Sequence, residues 1–310
     1  MERRRLGKTG LDVSILGFGS APVGYLDEDA RRTGAILNHL LDQGVNLIDT
    51  APCYPNSEEL IARSVGHRRD EFLLVTKCGH QVEGISGAEW SPQLIEQSVD
   101  QSLRRLDTDR LDVLLLHSSG LETLQKADAL EAMSRARDAG KTRFIGYAGD
   151  NEAASHAAGL EEVDVLEMSV SICDQININE GLQAAKETEV GVLAKRPLAN
   201  AAWRKSDEQR GFYRSYASSY TERLKRMDIR PSEFGIDGPE SEAFPELALR
   251  FTLSVEGVHC ALVGTTNPEN ARTNLSHAEK SPLPHKQYEK IREAFLRAEQ
   301  SSGERWVGLT

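Results

Sequence analysis

Short apolar runs recur along the whole chain, and most are followed by a stretch with helical spacing. The runs lie at 13–18, 45–48, 72–76, 111–116, 142–146, 163–168, 190–194 and 259–263. Runs of that length predict buried strands. Between them the spacing changes. Within 29–41, Ile36, Leu37, Leu40 and Leu41 recur at helical intervals, and within 91–106 so do Leu94, Ile95, Val99, Leu103 and Leu106. Ser91-Pro92 reads as a helix start with proline in the first turn. Gly44 and Gly140 stand where a helix should stop before the next strand.

Eight strands alternating with helices are the count for a closed parallel barrel, typically about 250 residues long. The expected fold is therefore α/β, a (β/α)8 TIM barrel. The rest of the chain has places to go. Residues 1–12 predict an N-terminal cap. The polar stretch 199–241, rich in Arg, Ser and Tyr, predicts a long rim loop with a helix around 220–227. The tail near 284–300 predicts one more helix. No linker or low-complexity segment interrupts the pattern, so 1–310 is expected to form a single domain. The competing architecture is an open doubly wound sheet, which would carry Gly-x-Gly-x-x-Gly after its first strand. Gly17-Phe18-Gly19-Ser20-Ala21-Pro22 begins that pattern and then fails it.

Composition narrows the partners. The 310 residues include 37 Lys and Arg against 48 Asp and Glu, a net charge of −11. That balance argues against nucleic acid or an acidic membrane surface as a partner. It leaves room for a local basic pocket that takes an anionic small molecule. Cys53, Cys78, Cys173 and Cys260 are too scattered for a disulfide framework or a Cys-x-x-Cys metal site. Met1-Glu2-Arg3-Arg4-Arg5 is not followed by the apolar core of a signal peptide, and no run approaches the roughly 20 residues of a membrane span. The expectation is a cytoplasmic protein acting on small molecules, with no metal. The oligomeric state is not legible in the pattern.

Three strands end in a titratable residue. Asp49 follows Asn46-Leu47-Ile48, Lys77 follows Leu73-Leu74-Val75-Thr76, and His117 follows Leu114-Leu115-Leu116. Strand side chains alternate with period two. If Leu47, Val75 and Leu115 face the barrel interior, so do Asp49, Lys77 and His117. They would meet at the C-terminal rim, where barrel enzymes place their chemistry. Tyr54, on the loop leaving Asp49, reaches the same place. Taken singly, such a His is usually a packed residue, such an Asp a helix cap and such a Lys a surface group. Three on successive strands beside a tyrosine point to a site. A nearby ammonium is expected to lower the tyrosine pKa from about 10. A carboxylate would hold the lysine, and the histidine would bond a substrate oxygen. None of these groups is a hydride source, so a reduction needs a cofactor.

These motifs resemble those of the aldo-keto reductases, from Leu6-Gly7-Lys8-Thr9-Gly10-Leu11 to about Asn274. Asn46-Leu47-Ile48-Asp49-Thr50-Ala51-Pro52-Cys53-Tyr54, with Ser57-Glu58 behind it, is similar to the family's aspartate–tyrosine signature. Val75-Thr76-Lys77 resembles the lysine strand. Ser102-Leu103-Arg104-Arg105-Leu106 followed by Leu111-Asp112-Val113-Leu114-Leu115-Leu116-His117 resembles the histidine strand and its preceding helix. The resemblance implies NAD(P)H-dependent reduction of an aldehyde or ketone, or the reverse oxidation. It makes Tyr54 the general acid, tuned by Lys77 and Asp49, with His117 orienting the carbonyl.

For the cofactor, the resemblance implies contacts from Gly19, Ser20 and Ala21 near the nicotinamide ribose. It implies Pro197 and Leu198 over the pyrophosphate, Arg196 among the cofactor contacts, and Gly264, Thr265, Asn270 and Asn274 on the adenosine side. Three places depart from the family pattern. Gly146-Tyr147-Ala148-Gly149-Asp150 stands where Ser-Asn often holds the carboxamide. Glu167 replaces a usual glutamine, and Lys195 a stacking aromatic. Glu167 and Lys195 are opposite in sign, which suggests a bridge between them. Gly264 and Asn270 replace two basic positions used against a 2′-phosphate, while Arg272 is basic in another register. The expected cofactor is NADP(H) by a slight margin, with NAD(H) the alternative.

Other readings are a cofactor-binding regulatory subunit on the same fold, and a lyase using Lys77 as a Schiff-base lysine. A metal held by Cys78, His80 and His117 has little support from spacing. Trp90, Trp203, Tyr213 and Tyr216 are candidates to line a substrate pocket or to anchor the rim loops. Substrate specificity is expected from the loops after barrel strands one, four and seven.

Overall fold

The computed structural model describes residues 1–26, 29–204 and 217–309. Ten strands form two sheets: β1 (Arg3–Arg5), β2 (Asp12–Ser14), β3 (Leu16–Gly19), β4 (Leu47–Asp49), β5 (Leu73–Cys78), β6 (Leu111–His117), β7 (Thr142–Ala148), β8 (Val165–Ser169), β9 (Gly191–Lys195) and β10 (Cys260–Val263). Strands β3 to β10 close into a barrel in sequence order, with β10 returning beside β3 and every neighbouring pair parallel. The open-sheet alternative is thereby excluded.

The first apolar run divides into two strands. Residues 12–14 pair antiparallel with β1, and only 16–19 enter the barrel. Asn46 marks the break: its side chain accepts from Ser14 N at 2.7 Å and donates to the Asp12 carbonyl at 2.8 Å. The hairpin is the N-terminal cap. Its Leu6, Leu11 and Val13 join the barrel's interior cluster and close one end with apolar volume.

Strand periodicity decides what faces inward. Leu47, Val75, Val113, Leu115, Val165, Leu193, Cys260 and Leu262 belong to the interior cluster, while their neighbours Ile48, Leu74, Leu114, Leu166 and Val192 pack outward against helices. The expected helices form at Ala30–Asp42 and Pro92–Arg105. Asp29 caps the first by accepting from Arg31 N and Arg32 N, and Ser91 caps the second. Gly44 and Gly140 both have positive φ after their helices. The rim and tail helices lie at Ser218–Met227 and His285–Ser302. Among the described residues, no helix is long and apolar enough to cross a membrane.

Candidate active site

Asp49 and His117 end β4 and β6, Lys77 is the last residue but one of β5 between them, and their side chains follow the inward phase set by Leu47, Val75 and Leu115. The structure brings them together. Lys77 forms an ion pair with Asp49 and donates to the Thr50 carbonyl at 3.1 Å. Its Nζ lies 5.4 Å from the centre of the Tyr54 ring. The Tyr54 and His117 rings meet edge to face at 6.1 Å. Cys53 Sγ is 3.6 Å from His117 Nδ1.

Local packing holds Tyr54 there. Gly24, in the short helix Ala21–Tyr25, backs directly onto the tyrosine loop. A Cβ at Gly24 would meet the Pro55 carbonyl oxygen at 2.9 Å and Tyr54 Cβ at 3.1 Å. The requirement is close backbone approach, which only glycine allows. Ser57 donates to Ser20 Oγ at 2.7 Å and bonds Thr50 Oγ1 at 2.9 Å, so buried hydroxyls join the loops after β3 and β4. Thr76 donates to Glu58 at 2.9 Å, tying the lysine strand to the same loop and helix.

Electrostatics assigns the charge states. Burial drives the His117 pKa well below its ordinary value, and the charges of Lys77, His80, Lys195 and Arg196 push the same way. The imidazole is therefore neutral at physiological pH. Lys77 stays charged. Burial opposes its charge, but Asp49 and Glu167 overcome that and raise its pKa. Tyr54 departs from expectation. Its phenol is pushed well above 10, not lowered. Burial is the largest cause, and the Asp49 and Glu167 charges add to it against the pull of Lys77.

The positions expected to meet the cofactor divide into two groups. Gly19, Ala21, Lys195, Arg196, Leu198, Gly264 and Asn270 keep partial exposure, while Ser20, Pro197, Thr265 and Asn274 are buried. The ends of β9, β10 and β3 are adjacent, so these residues form one arc of the rim beside the tyrosine. Gly264 is a cradle that no side chain can fill: a Cβ there would meet the Gly19 carbonyl oxygen at 2.4 Å and Pro22 Cδ at 2.6 Å. Ser20 has its hydroxyl engaged by Ser57.

The bridge expected between Glu167 and Lys195 does not form. Glu167 Oε2 instead lies 3.1 Å from Lys77 Nζ, and Lys195 Nζ lies 3.1 Å from Asp150 Oδ2. The reason is registry. Glu167 pairs with Leu193, so Lys195 sits one inward step further toward the rim. There it meets Asp150, which also accepts from Ser169 N at 2.6 Å and Asn177 Nδ2 at 2.8 Å. Burial opposes the Asp150 charge, yet Lys195, the Ser169 N–H and Arg196 hold its pKa below the usual carboxylate value.

Cys78 faces outward into the helix layer, away from His117, so it cannot share a metal with that residue. His80 has a different place, missed by sequence reasoning. Its ring packs 4.7 Å from that of His117, and its Nδ1 lies 3.2 Å from Glu89 Oε1. No periodicity marks it, because it sits on the loop after β5. Trp90 anchors the same loop, whereas Trp203 stacks on Phe244 at 5.5 Å. Tyr213 and Tyr216 lie outside the described residues.

Comparison with known proteins agrees with this geometry. The model of the Aldo/keto reductase family matches residues 15–295. L-galactose dehydrogenase of Arabidopsis thaliana is 30% identical over 217 residues, 64% of this chain and 66% of the relative. An oxidoreductase of Bacillus subtilis, YqkF, is 25% identical over 298 residues, 91% and 93% of the two chains. The solved holo form of an aldo-keto reductase from Bacillus halodurans superposes with a TM-score of 0.80 at 25% identity, covering 95% of this chain and 96% of that one. A family match that runs from the first barrel strand into the last helix, on a closed barrel of the same architecture, places this chain in the aldo/keto reductase family.

Proposed function

We propose that Tyr54 is the proton donor in an NAD(P)H-dependent reduction of an aldehyde or ketone, or the acceptor in the reverse oxidation. The observation that carries the assignment is the meeting of Asp49, Lys77, Tyr54 and His117 at one rim. A bound nicotinamide supplies the hydride. The protein residues handle the proton and the charge. Neutral His117 offers its ring N–H to the carbonyl oxygen and polarises it. The Tyr54 phenol, kept protonated by its surroundings, gives its proton as negative charge builds on that oxygen. Lys77 sits close enough to stabilise the resulting tyrosinate, and Asp49 keeps Lys77 in place. In oxidation the same groups act in reverse.

The rim arc fits a dinucleotide. Gly19 and Ala21 would hold its nicotinamide ribose side. Pro197 and Leu198 would cover the pyrophosphate, with Gly264 leaving room for it. Thr265, Asn270 and Asn274 would serve the adenosine side. Asn200 Nδ2 is a buried donor without a bonded partner, as suits a rim that receives a polar ligand. The helix Pro268–Ala278 follows directly on this arc. Its Arg272 is held by Glu269 at 2.9 Å. A lysine at Gly264 is excluded by packing. We assign use of both NADPH and NADH, with the balance set by how readily Arg272 leaves Glu269 for a 2′-phosphate.

The deciding experiment follows cofactor oxidation by absorbance, with each cofactor, against a panel of aldehydes, ketones and sugars. Tyr54→Phe is expected to lower turnover by about 10²–10⁴-fold. Full activity in that variant would overturn the acid assignment. Cofactor binding without any turnover in the native protein would favour the regulatory-subunit reading.

A further inference from the structure

Glu167 has a role in the catalytic layer itself. Strand β8 is four places from β4 in the eight-stranded ring, so Glu167 and Asp49 reach toward each other from opposite walls. Lys77 is between them. It forms an ion pair with Asp49 and lies 3.1 Å from Glu167 Oε2. All three are nearly sealed from solvent: Lys77 is 1% exposed, and Asp49 and Glu167 are each 4% exposed.

The charges do not balance if both acids are ionised. Two carboxylates then face one ammonium, a net charge of −1 in a layer nearly sealed from solvent. Beneath them lie Leu47, Val75, Leu115, Val165 and Leu193, which offer no countercharge. The remaining groups facing the layer do not supply one. Tyr54 and His117 are neutral, and the Cys53 thiol is pushed up to about 11, mainly by burial. Burial likewise keeps the Cys260 thiol protonated. Beyond the layer, Lys195 is paired with Asp150, and Arg196 faces Tyr220, Asp150 and Asp174. Burying an uncompensated charge is costly enough to offset the binding of one proton at neutral pH. Both carboxyl groups face the one Lys77 ammonium, so a single proton held between them balances the layer.

We propose that Asp49 and Glu167 hold one proton between them over Lys77, and that Glu167 is a positioning residue which, through Lys77, sets the pH range in which Tyr54 works. The direction for Asp49 agrees. Burial and the facing Glu167 push its carboxyl well above the usual range, with Lys77 opposing. With the shared proton in place, the layer is neutral overall. Without it, the layer carries a negative charge, and Tyr54 releases its proton less readily. A glutamine at 167 removes this second acid and leaves a simple Asp49–Lys77 pair.

The link to Tyr54 rests on the proposed reductase chemistry, whereas the shared proton can be read without any turnover. Infrared spectra of the cofactor-free protein at neutral pH would be compared with those of Glu167→Gln. Asp174, pushed up to about 7 chiefly by burial, and the raised Glu58 contribute to both spectra and cancel. The expected result is a protonated-carboxyl stretch present in the native protein and missing from Glu167→Gln. Superimposable spectra overturn the proposal. If Glu167→Gln does not fold, Glu167→Asp must shift the same stretch, and an unshifted one overturns it too. The second arm is the pH profile of kcat for reduction. Its alkaline limb is expected to move down by about one pH unit in Glu167→Gln and to return toward native in Glu167→Asp. An unmoved limb overturns the link to Tyr54. A shared-proton band in a protein with no turnover would refute the reductase reading and leave the proton assignment standing.

Discussion

The indole Nε1 of Trp90 donates a 2.8 Å hydrogen bond to the backbone carbonyl of His117. This bond joins the loop after β5 to the end of β6, next to the His117 imidazole. Replacing Trp90 by Phe keeps most of the aromatic volume and removes the donor. The expected loss of stability is about 1 kcal/mol, with a lower kcat/KM for carbonyl reduction. Thermal unfolding and steady-state kinetics of Trp90→Phe test this. Native values for both would show that the loop is held by packing alone.

Gly24 and Tyr54 make a second such contact. A methyl at position 24 has to push the Tyr54 backbone away, since its nearest neighbours would be within 3.1 Å. Overpacking of this kind costs about 1–3 kcal/mol. A shift of the phenol by a fraction of an ångström lowers turnover more than stability. Gly24→Ala is expected to retain the fold and lose about 10- to 100-fold in kcat. Circular dichroism beside kinetics separates the two effects.

Lys195, partly exposed, pairs with Asp150, whose side chain is fully enclosed. Removing Lys195 takes away the largest charge partner of Asp150, which keeps its bonds from Ser169 and Asn177 and the field of Arg196. Lys195→Met is expected to destabilise the protein by about 1–3 kcal/mol, and Asp150→Asn in the same chain should recover part of that loss. Denaturant unfolding of the single and double variants gives the coupling. The pH dependence has a definite sign. Because the Asp150 pKa is below its unfolded value, its contribution is present above that unfolded value and is lost as pH falls through the folded one.

Glu269 holds Arg272 at the start of the helix that follows β10. Glu269→Gln frees the guanidinium without changing the shape of the side chain. KM for NADPH is expected to fall severalfold while KM for NADH stays nearly constant. Equal changes for both cofactors would place Arg272 away from the 2′-phosphate.

Opposite pH responses are expected in the two directions of reaction. With Tyr54 as the proposed proton donor, reduction requires its phenol protonated, and the phenol pKa is raised, so the rate should persist through neutrality and fall only as pH rises through that raised value. Oxidation needs the tyrosinate and should climb over the same range. His117 is neutral down to well below its ordinary pKa of about 6.5, so no loss is expected as pH falls past that value. Profiles of kcat in both directions test these signs.

The sequence by itself determined the barrel and the corner where Asp49, Lys77 and His117 converge. Strand spacing carried the count of eight. The period of two placed Asp49, Lys77 and His117 on the inward phase, because side-chain direction along a strand is local geometry. The helix caps at Asp29 and Ser91 are local in the same sense. Partners across the barrel were decided only by the tertiary structure. Glu167 looked like a cofactor contact paired with Lys195, yet registry between β8 and β9 turned it to Lys77 and left Lys195 to Asp150. Sequence chemistry also gave Tyr54 the wrong shift. It counted the nearby ammonium but had no measure of burial, and burial is the larger effect in this enclosed layer. Distances between strands and exclusion of water arise only once the ring has closed, and they set the charge on each group at its mouth.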